Sequence, residues 1–231
     1  MISIVIPAYN ESETIESTIK KIRGVMKNLG EEWELIIVDD CSSDNTLKKI
    51  RAFKKKYEFL RIFSHKKNLG PGAGFRTGFK QAEGDIIITN DADSSFSPKD
   101  IPRLLSEIKN ADVVIGSQHM EGARMINVPI KRVIASKAAL FLDRLFLGVR
   151  LSSLSSFFVA YRKNVIKTLN FESNGFDAQC EILTKLYHKG YKIKEIPCSL
   201  RWDIGRKRKS SINIFKEAKK RVKLWRKLKK A

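Results

Sequence analysis

Two carboxylates one residue apart, Asp91 and Asp93, follow the run Asp85-Ile-Ile-Ile-Thr-Asn90 and are the side chains best placed for chemistry. A β-branched run entered from Gly84 and left through polar residues reads as a buried parallel strand, and open α/β sheets bind ligands at the carboxyl ends of such strands. At a turn there, both acids can reach one hard cation together with phosphate oxygens. The pair therefore points to Mg²⁺ or Mn²⁺ bridging a nucleotide diphosphate. A solvated turn explains many Asp-x-Asp triplets, so the surroundings decide. Two further strand ends carry usable groups, Pro7-Ala-Tyr-Asn-Glu11 and Val38-Asp39-Asp40. Tyr9 offers a ring beside a base, and Glu11 or Asp39 can accept from base or ribose donors.

The elements that must position these groups alternate along the chain. Strands are predicted at Ile2 to Pro7, Glu34 to Val38, Leu60 to Phe63, Asp85 to Asn90 and Asp112 to Ile115. Between them come helices to about Met26, from the Cys41–Asn45 cap to about Lys55, over Pro71 to Ala82, and from Pro98 to Lys109 behind a Ser97 cap. This alternation predicts an α/β fold with a mostly parallel, helix-covered sheet of the nucleotide-binding type, whose strand ends gather along one edge. After Gly116 the regularity weakens into a Met- and Gly-containing loop, an amphipathic stretch from Lys131 to Leu147 and a Ser-rich segment. A strand at Phe157 to Tyr161, a helix from Asp177 to Lys189 and a closing strand at Ile193 to Pro197 complete the pattern. This half is expected to build an acceptor surface.

At 231 residues the chain can bury one full core, expected over residues 1–205, with a basic appendage at 206–231. Cys41, Cys180 and Cys198 lack the close pairing of zinc or redox sites and read as reduced thiols. Met1-Ile-Ser-Ile-Val-Ile-Pro7 has no basic lead and reads as a first strand, so a cytoplasmic protein is expected. The longest apolar stretch, Val133 to Val149, is interrupted by Lys137, Asp143 and Arg144, which argues against a membrane span. The net charge of +20 is concentrated at the end: Arg206 to Lys230 holds thirteen Lys/Arg and one acid, +12 of the total. There Phe215, Ala218, Val222 and Trp225 recur at helical spacing, the pattern of a basic amphipathic helix. Such a helix suits an anionic membrane surface, with Trp225 at the interface. Nucleic acid is the rival partner, and a tail helix docked by its apolar stripe is the third reading.

Several motifs carry a family resemblance: Pro7-Ala-Tyr-Asn-Glu11, Val38-Asp39-Asp40 with Ser42-Ser-Asp-Asn-Thr46, Asn68-Leu-Gly70 with Gly72 and Gly78, Ala82-Glu-Gly84-Asp85, and Asp91-Ala-Asp93. Together they resemble the family 2 inverting glycosyltransferases, and within them the dolichol-phosphate (polyprenol-phosphate) mannose synthases and glucosyltransferases. The similarity is dense to about Pro98 and looser to Pro197, through Gly116-Ser117, Ser136, Phe158, Tyr161-Arg162, Glu181 and Glu195-Ile-Pro197. It implies a GT-A type fold, a GDP- or UDP-sugar donor and a divalent metal. Carried over by position, Pro7, Tyr9, Glu11, Val38 and Asp39 border the nucleoside, while Asp91, Ala92 and Asp93 border metal and diphosphate. Arg132, Ser136, Lys137, Arg206, Arg208 and Lys209 are the candidates for an acceptor phosphate. The chain departs from the pattern where Gln118 replaces an arginine after Gly-Ser. It departs again at Ser153-Leu-Ser-Ser-Phe-Phe-Val159, which replaces an Asp-Pro-Thr-Ser-Gly-Phe-Arg segment. The cations after Trp202 are shifted rather than absent.

The implied reaction moves a hexose, mannose or glucose, to a polyprenyl (dolichyl) phosphate with inversion. A phosphomonoester is largely ionised at neutral pH, so this acceptor needs cations rather than a base. A sugar hydroxyl acceptor would need one, and Asp177 or Glu181 could serve. A nucleotide- or nucleic-acid-binding protein using its basic tail is the reading from another class. The protein is accordingly expected at the cytoplasmic face of a membrane.

Overall fold

Four apolar runs, Ile2–Ala8 (β1), Trp33–Asp39 (β2), Leu60–Ser64 (β3) and Ile86–Thr89 (β4), form the parallel half of a seven-stranded sheet. The computed structural model describes residues 1–202 and the helix at 214–228, with side chains in that helix from Lys219 onward. Strand order is β3-β2-β1-β4-β7-β5-β8, where β5 is Val113–Ser117, β7 is Val159–Arg162 and β8 is Ile193–Pro197. Strands β1 and β2 run in register from Ile2↔Trp33 to Ala8↔Asp39, and Val5 pairs with Thr89. The ends of β1, β2 and β4 therefore open side by side, as the sequence predicts. β7 runs antiparallel to both β4 and β5. The strand predicted at Phe157 to Tyr161 thus begins two residues later and ends one residue later, and it is the antiparallel member of a mostly parallel sheet.

Both sheet faces are covered, which is why the strands are apolar at successive positions rather than alternate ones. Ile4, Ile6, Leu35, Ile37 and Ile88 point to one face, where Ile15–Leu29 (α1), Thr46–Lys54 (α2) and Ile101–Glu107 (α4) pack on them. Val5, Ile36, Val38 and Ile87 point to the other, beneath Pro71–Gln81 (α3) and Ala178–His188 (α7). The predicted helix from Pro98 to Lys109 is broken into two 3₁₀ turns flanking α4. Val5 would overlap a Cβ at Gly78, so glycine lets α3 lie directly on β1.

The second half adds three short elements without a periodic signal: Met125–Ile126 (β6), paired in parallel with Leu200–Arg201 (β9), and Lys163–Lys167 (α6). Ile130–Leu147 (α5) is the longest helix described, yet only Asp143 and Leu147 on it are buried. Ile214–Leu228 (α8) lies against α5 and α7. Its buried contacts come from Arg221, Leu224 and Trp225, whereas Val222 of the predicted stripe is exposed.

Candidate active site

The loop after β1 is fixed by its neighbour. Asn10, in the left-handed region at φ 56°, accepts through Oδ1 from the backbone N–H groups of Ser43 and Asp44 at 2.8 and 3.2 Å. Its own N–H donates to Ser42 Oγ, and that of Glu11 to Thr46 Oγ1 at 2.7 Å. Thus Ser42-Ser-Asp-Asn-Thr46 serves mainly to clamp the two strand-end loops together. Tyr9 is left with about half its surface exposed, so its ring is available to stack. The Glu11 carboxylate accepts from Thr14 Oγ1 at 2.9 Å at the start of α1.

Adjacent acids at the end of β2 have opposite tasks. Asp40 is buried and accepts from the N–H groups of Leu69 and Gly70 and lies 2.7 Å from His65 Nδ1, which pins the 65–70 loop. Gly70 then takes φ 98°, where a Cβ would overlap the Asn174 carbonyl. Asp39 is also buried; its Oδ2 accepts from the Ser42 N–H at 3.2 Å, and its Oδ1 has no hydrogen-bond partner among the described residues. A buried carboxylate oxygen without a donor is costly unless a ligand supplies one. Pro7 and Val38, also predicted to border the nucleoside, lie within β1 and β2; Val38 is fully buried and acts on the site only through the backbone it carries.

The turn after β4 is anchored from α1. Thr18 Oγ1 donates to the Ala92 carbonyl at 2.7 Å and lies 2.8 Å from Ser94 Oγ. Within the turn, Ser95 N–H donates to Asp93 Oδ1 at 2.9 Å, and Ser95 Oγ to Asp91 Oδ2 at 3.2 Å. Ser94 at φ 53° reverses the chain. Ser95 therefore holds both acids from one residue, a role that Asp-x-Asp spacing alone does not reveal. This all-oxygen pair suits a hard cation that keeps positions for phosphate and water. Among the described residues no group of three or more His, Cys, Asp or Glu could hold a metal unaided. The two acids fit as part of a cation shell that further oxygens would have to complete.

Residues of β9 reach the same turn. Arg201 N–H donates to the Ser95 carbonyl at 2.9 Å, and Phe96 forms a bridge to Leu200. The next residue, Trp202, carries the Arg132 guanidinium over its ring at 4.6 Å. One turn along α5, Ser136 Oγ lies 3.2 Å from His119 Nε2. Burial and the charges of Lys137 and Arg144 hold the His119 pKa below its ordinary value, which favours the uncharged imidazole. Sequence reasoning missed His119; its only signal was its place after the Gly-Ser-Gln departure. That departure has a physical partner, because Ser153 Oγ donates to Gln118 Oε1 at 3.2 Å with both side chains buried. The positions where the resemblance expects an arginine and an acid are occupied by a neutral hydrogen-bonded pair. Arg206, Arg208 and Lys209 lie outside the described residues.

Of the two possible bases, Glu181 is committed elsewhere. It is buried and accepts from the N–H groups of Glu172 and Ser173 and from Lys185 Nζ. Burial works against its charge, but hydrogen bonds from Lys185 and Ser173 prevail and lower its pKa to about 2. Asp177 stands at the N-cap position of α7 without a side-chain capping hydrogen bond, and its Oδ1 is buried and without a hydrogen-bond partner among the described residues.

A family model described as glycosyl transferase family 2 matches residues 3–169, the stretch holding all three strand ends. The chain belongs to glycosyl transferase family 2. Among curated relatives, the dolichol-phosphate mannosyltransferase of Pyrococcus furiosus is 34% identical over 85% of this chain, which spans 55% of that protein's length. The undecaprenyl-phosphate mannosyltransferase of Micrococcus luteus is 31% identical, covering 96% of this chain and 92% of that one. Among solved structures, glucosyl-3-phosphoglycerate synthase from Mycobacterium tuberculosis, in complex with Mn²⁺, UDP and glucosyl-3-phosphoglycerate, superposes with a TM-score of 0.67 at 23% identity. That match covers 99% of this chain and 77% of that one, and the same enzyme has also been solved with Mg²⁺ and UDP. The family 2 fold is the GT-A type.

Proposed function

We infer that this family 2 domain transfers a hexose from a nucleotide diphosphate sugar to a polyprenyl phosphate, in one displacement with inversion at the anomeric carbon. The observation that carries the reading is the backbone tie from Arg201 to Ser95, which sets Trp202 and Arg132 beside the turn bearing Asp91 and Asp93. This supports a reading in which the acids serve the donor and Arg132 serves the acceptor. The names of the Pyrococcus and Micrococcus relatives support the same pairing and make mannose the first sugar to test.

In this reading Tyr9 stacks on the base, and the unpartnered Asp39 oxygen accepts from the base or ribose. Asp91 and Asp93 hold a divalent cation, which when bound offsets charge developing on the departing diphosphate. The acceptor phosphate, with a second pKa near 6, is already largely a dianion at neutral pH. Arg132, Ser136 and Lys137 then bind and orient its oxygens for in-line attack, joined by Arg206, Arg208 and Lys209. No residue has to remove a proton, which agrees with Glu181 being spent on the 172–173 backbone. A polyprenyl chain resides in a bilayer, so we propose that the reaction takes place at a membrane surface, and we take that surface to be the cytoplasmic face.

The test is incubation with radiolabelled GDP-mannose, GDP-glucose or UDP-glucose, polyprenyl phosphate and Mn²⁺ or Mg²⁺, following label into organic solvent. One donor is expected to label the lipid, with loss of label on chelation. Label passing only to a water-soluble sugar would overturn the acceptor assignment.

A further inference from the structure

A recess of about 300 Å³ opens between α3, α6 and the segment that follows α6, on the sheet face to which Ile87 points. It lies at the amino end of β4, whereas Asp91 and Asp93 follow the carboxyl end, so it is separate from the site described above. Its floor is apolar. Phe79, Ile87, Ile166 and Phe171 line it and are buried, and the rings of Phe79 and Phe171 meet edge to face with centroids 6.2 Å apart. The volume sits at the lower end of the range for small-molecule sites, which likewise combine an apolar lining with a few polar groups.

The rim is cationic. Arg76, Lys80, Lys163 and Lys167 border the recess, and none of the residues lining it is acidic. Arg76 is held in place: it donates to the Phe171 carbonyl at 2.8 Å, and its guanidinium lies 4.9 Å over the Phe171 ring. Lys163 Nζ donates to the Glu83 carbonyl at 2.8 Å. Lys80 and Lys167 are exposed and have no hydrogen bond or ion pair among the described residues. The acids closest to the lining segments along the chain are engaged elsewhere, Glu83 with Arg61 at 2.7 Å and Glu172 with Lys227 at 2.9 Å. Two cations on different helices therefore border one recess without a counter-charge.

Charge and lining together define an occupant. Two uncompensated ammonium groups match a phosphomonoester, which carries close to two negative charges at neutral pH, better than a single carboxylate. An aromatic floor suits an apolar body joined to that phosphate. We propose that this recess is a second anion site, which binds a small organic monophosphate with its apolar body on Phe79 and Phe171 and its phosphate at Lys80 and Lys167. The site needs neither nucleotide sugar nor metal, and it stands or falls apart from the transfer reaction.

The experiment is isothermal titration calorimetry of the full chain with 1-naphthyl phosphate. Saturable binding is expected, with or without GDP and Mn²⁺. Inorganic phosphate and 1-naphthol each lack one half of the ligand and should bind at least about tenfold more weakly. The Lys80→Glu/Lys167→Glu double variant should lose at least about tenfold in affinity for the ester, the effect of removing charge-assisted hydrogen bonds. Its circular dichroism spectrum should be unchanged, because both side chains are on the surface. Reductive methylation read by mass spectrometry should show Lys80 and Lys167 protected by the ester, while Lys21 and Lys27, exposed on α1 across the sheet, react as before. Equal affinity of the wild type and the double variant would overturn the proposal, as would inorganic phosphate binding as tightly as the ester or a lack of protection at Lys80 and Lys167. So would no binding at all, the result expected where lysine stems merely roof an apolar surface with their heads in water.

Discussion

At the residue scale the site depends on which oxygen is left without a donor. Asp39 and Asp40 are consecutive, buried and chemically identical, yet Asp40 is saturated by the 65–70 loop whereas Asp39 keeps one oxygen unpaired among the described residues. Asp39→Asn should therefore weaken nucleotide binding by about 10- to 100-fold, the range for a charge-assisted hydrogen bond. The loss should appear mainly in KM, because ground state and transition state use this contact alike. An equal fall in kcat, with KM unchanged, would place Asp39 at the reacting atoms instead. The sequence made both acids visible but not their division of labour. Neighbouring side chains diverge at a strand end, and the loop that claims one of them lies 25 or more residues away.

At the element scale, most of the first half was readable because its strands and helices are long, periodic and punctuated by glycine and proline. The second half was less so. β6 and β9 are two residues each, too short for any period, and the direction of β7 is set by the gap between β4 and β5 that it fills. The loop before α7 is held by another unreadable device, the buried Glu181 carboxylate, and that loop packs on Gly70 and Gly72 of the α3 region. Since its folded pKa is depressed to about 2, Glu181 contributes stability that is complete above the ordinary carboxylate value near 4.5 and is lost as pH falls from there toward 2. Glu181→Gln should cost about 2 kcal/mol at pH 7, and that difference should close across the same acid window. Urea denaturation at a series of pH values measures both, and a constant difference down to pH 2 would contradict the assignment.

At the scale of the whole molecule, the +12 segment that dominated the sequence proves to hold a helix with one side spent on packing. Arg221, Leu224 and Trp225 face α5 and α7, and Lys227 reaches Glu172 at 2.9 Å and Glu181 at 3.3 Å. Amphipathic spacing told that a helix would form but not whether lipid or protein would receive its apolar side. The deciding acid, Asp143, sits on another helix 78 residues before Arg221. Asp143→Ala leaves the buried guanidinium without its counter-charge and should destabilise the docked helix by about 3 kcal/mol. Hydrogen exchange should then show α8 losing protection before the sheet does. Unchanged protection would mean the ion pair contributes nothing to docking.

The central claim is that Asp91 and Asp93 complete a cation site only with a nucleotide diphosphate, and manganese titration by electron paramagnetic resonance tests it directly. With GDP or UDP present, the signal of free Mn²⁺ should fall until about one ion is taken up per chain, as expected for a partial protein shell completed by phosphate oxygens. Asp91→Asn and Asp93→Asn should each abolish that uptake while the fold persists. Uptake unchanged in both variants would contradict the account.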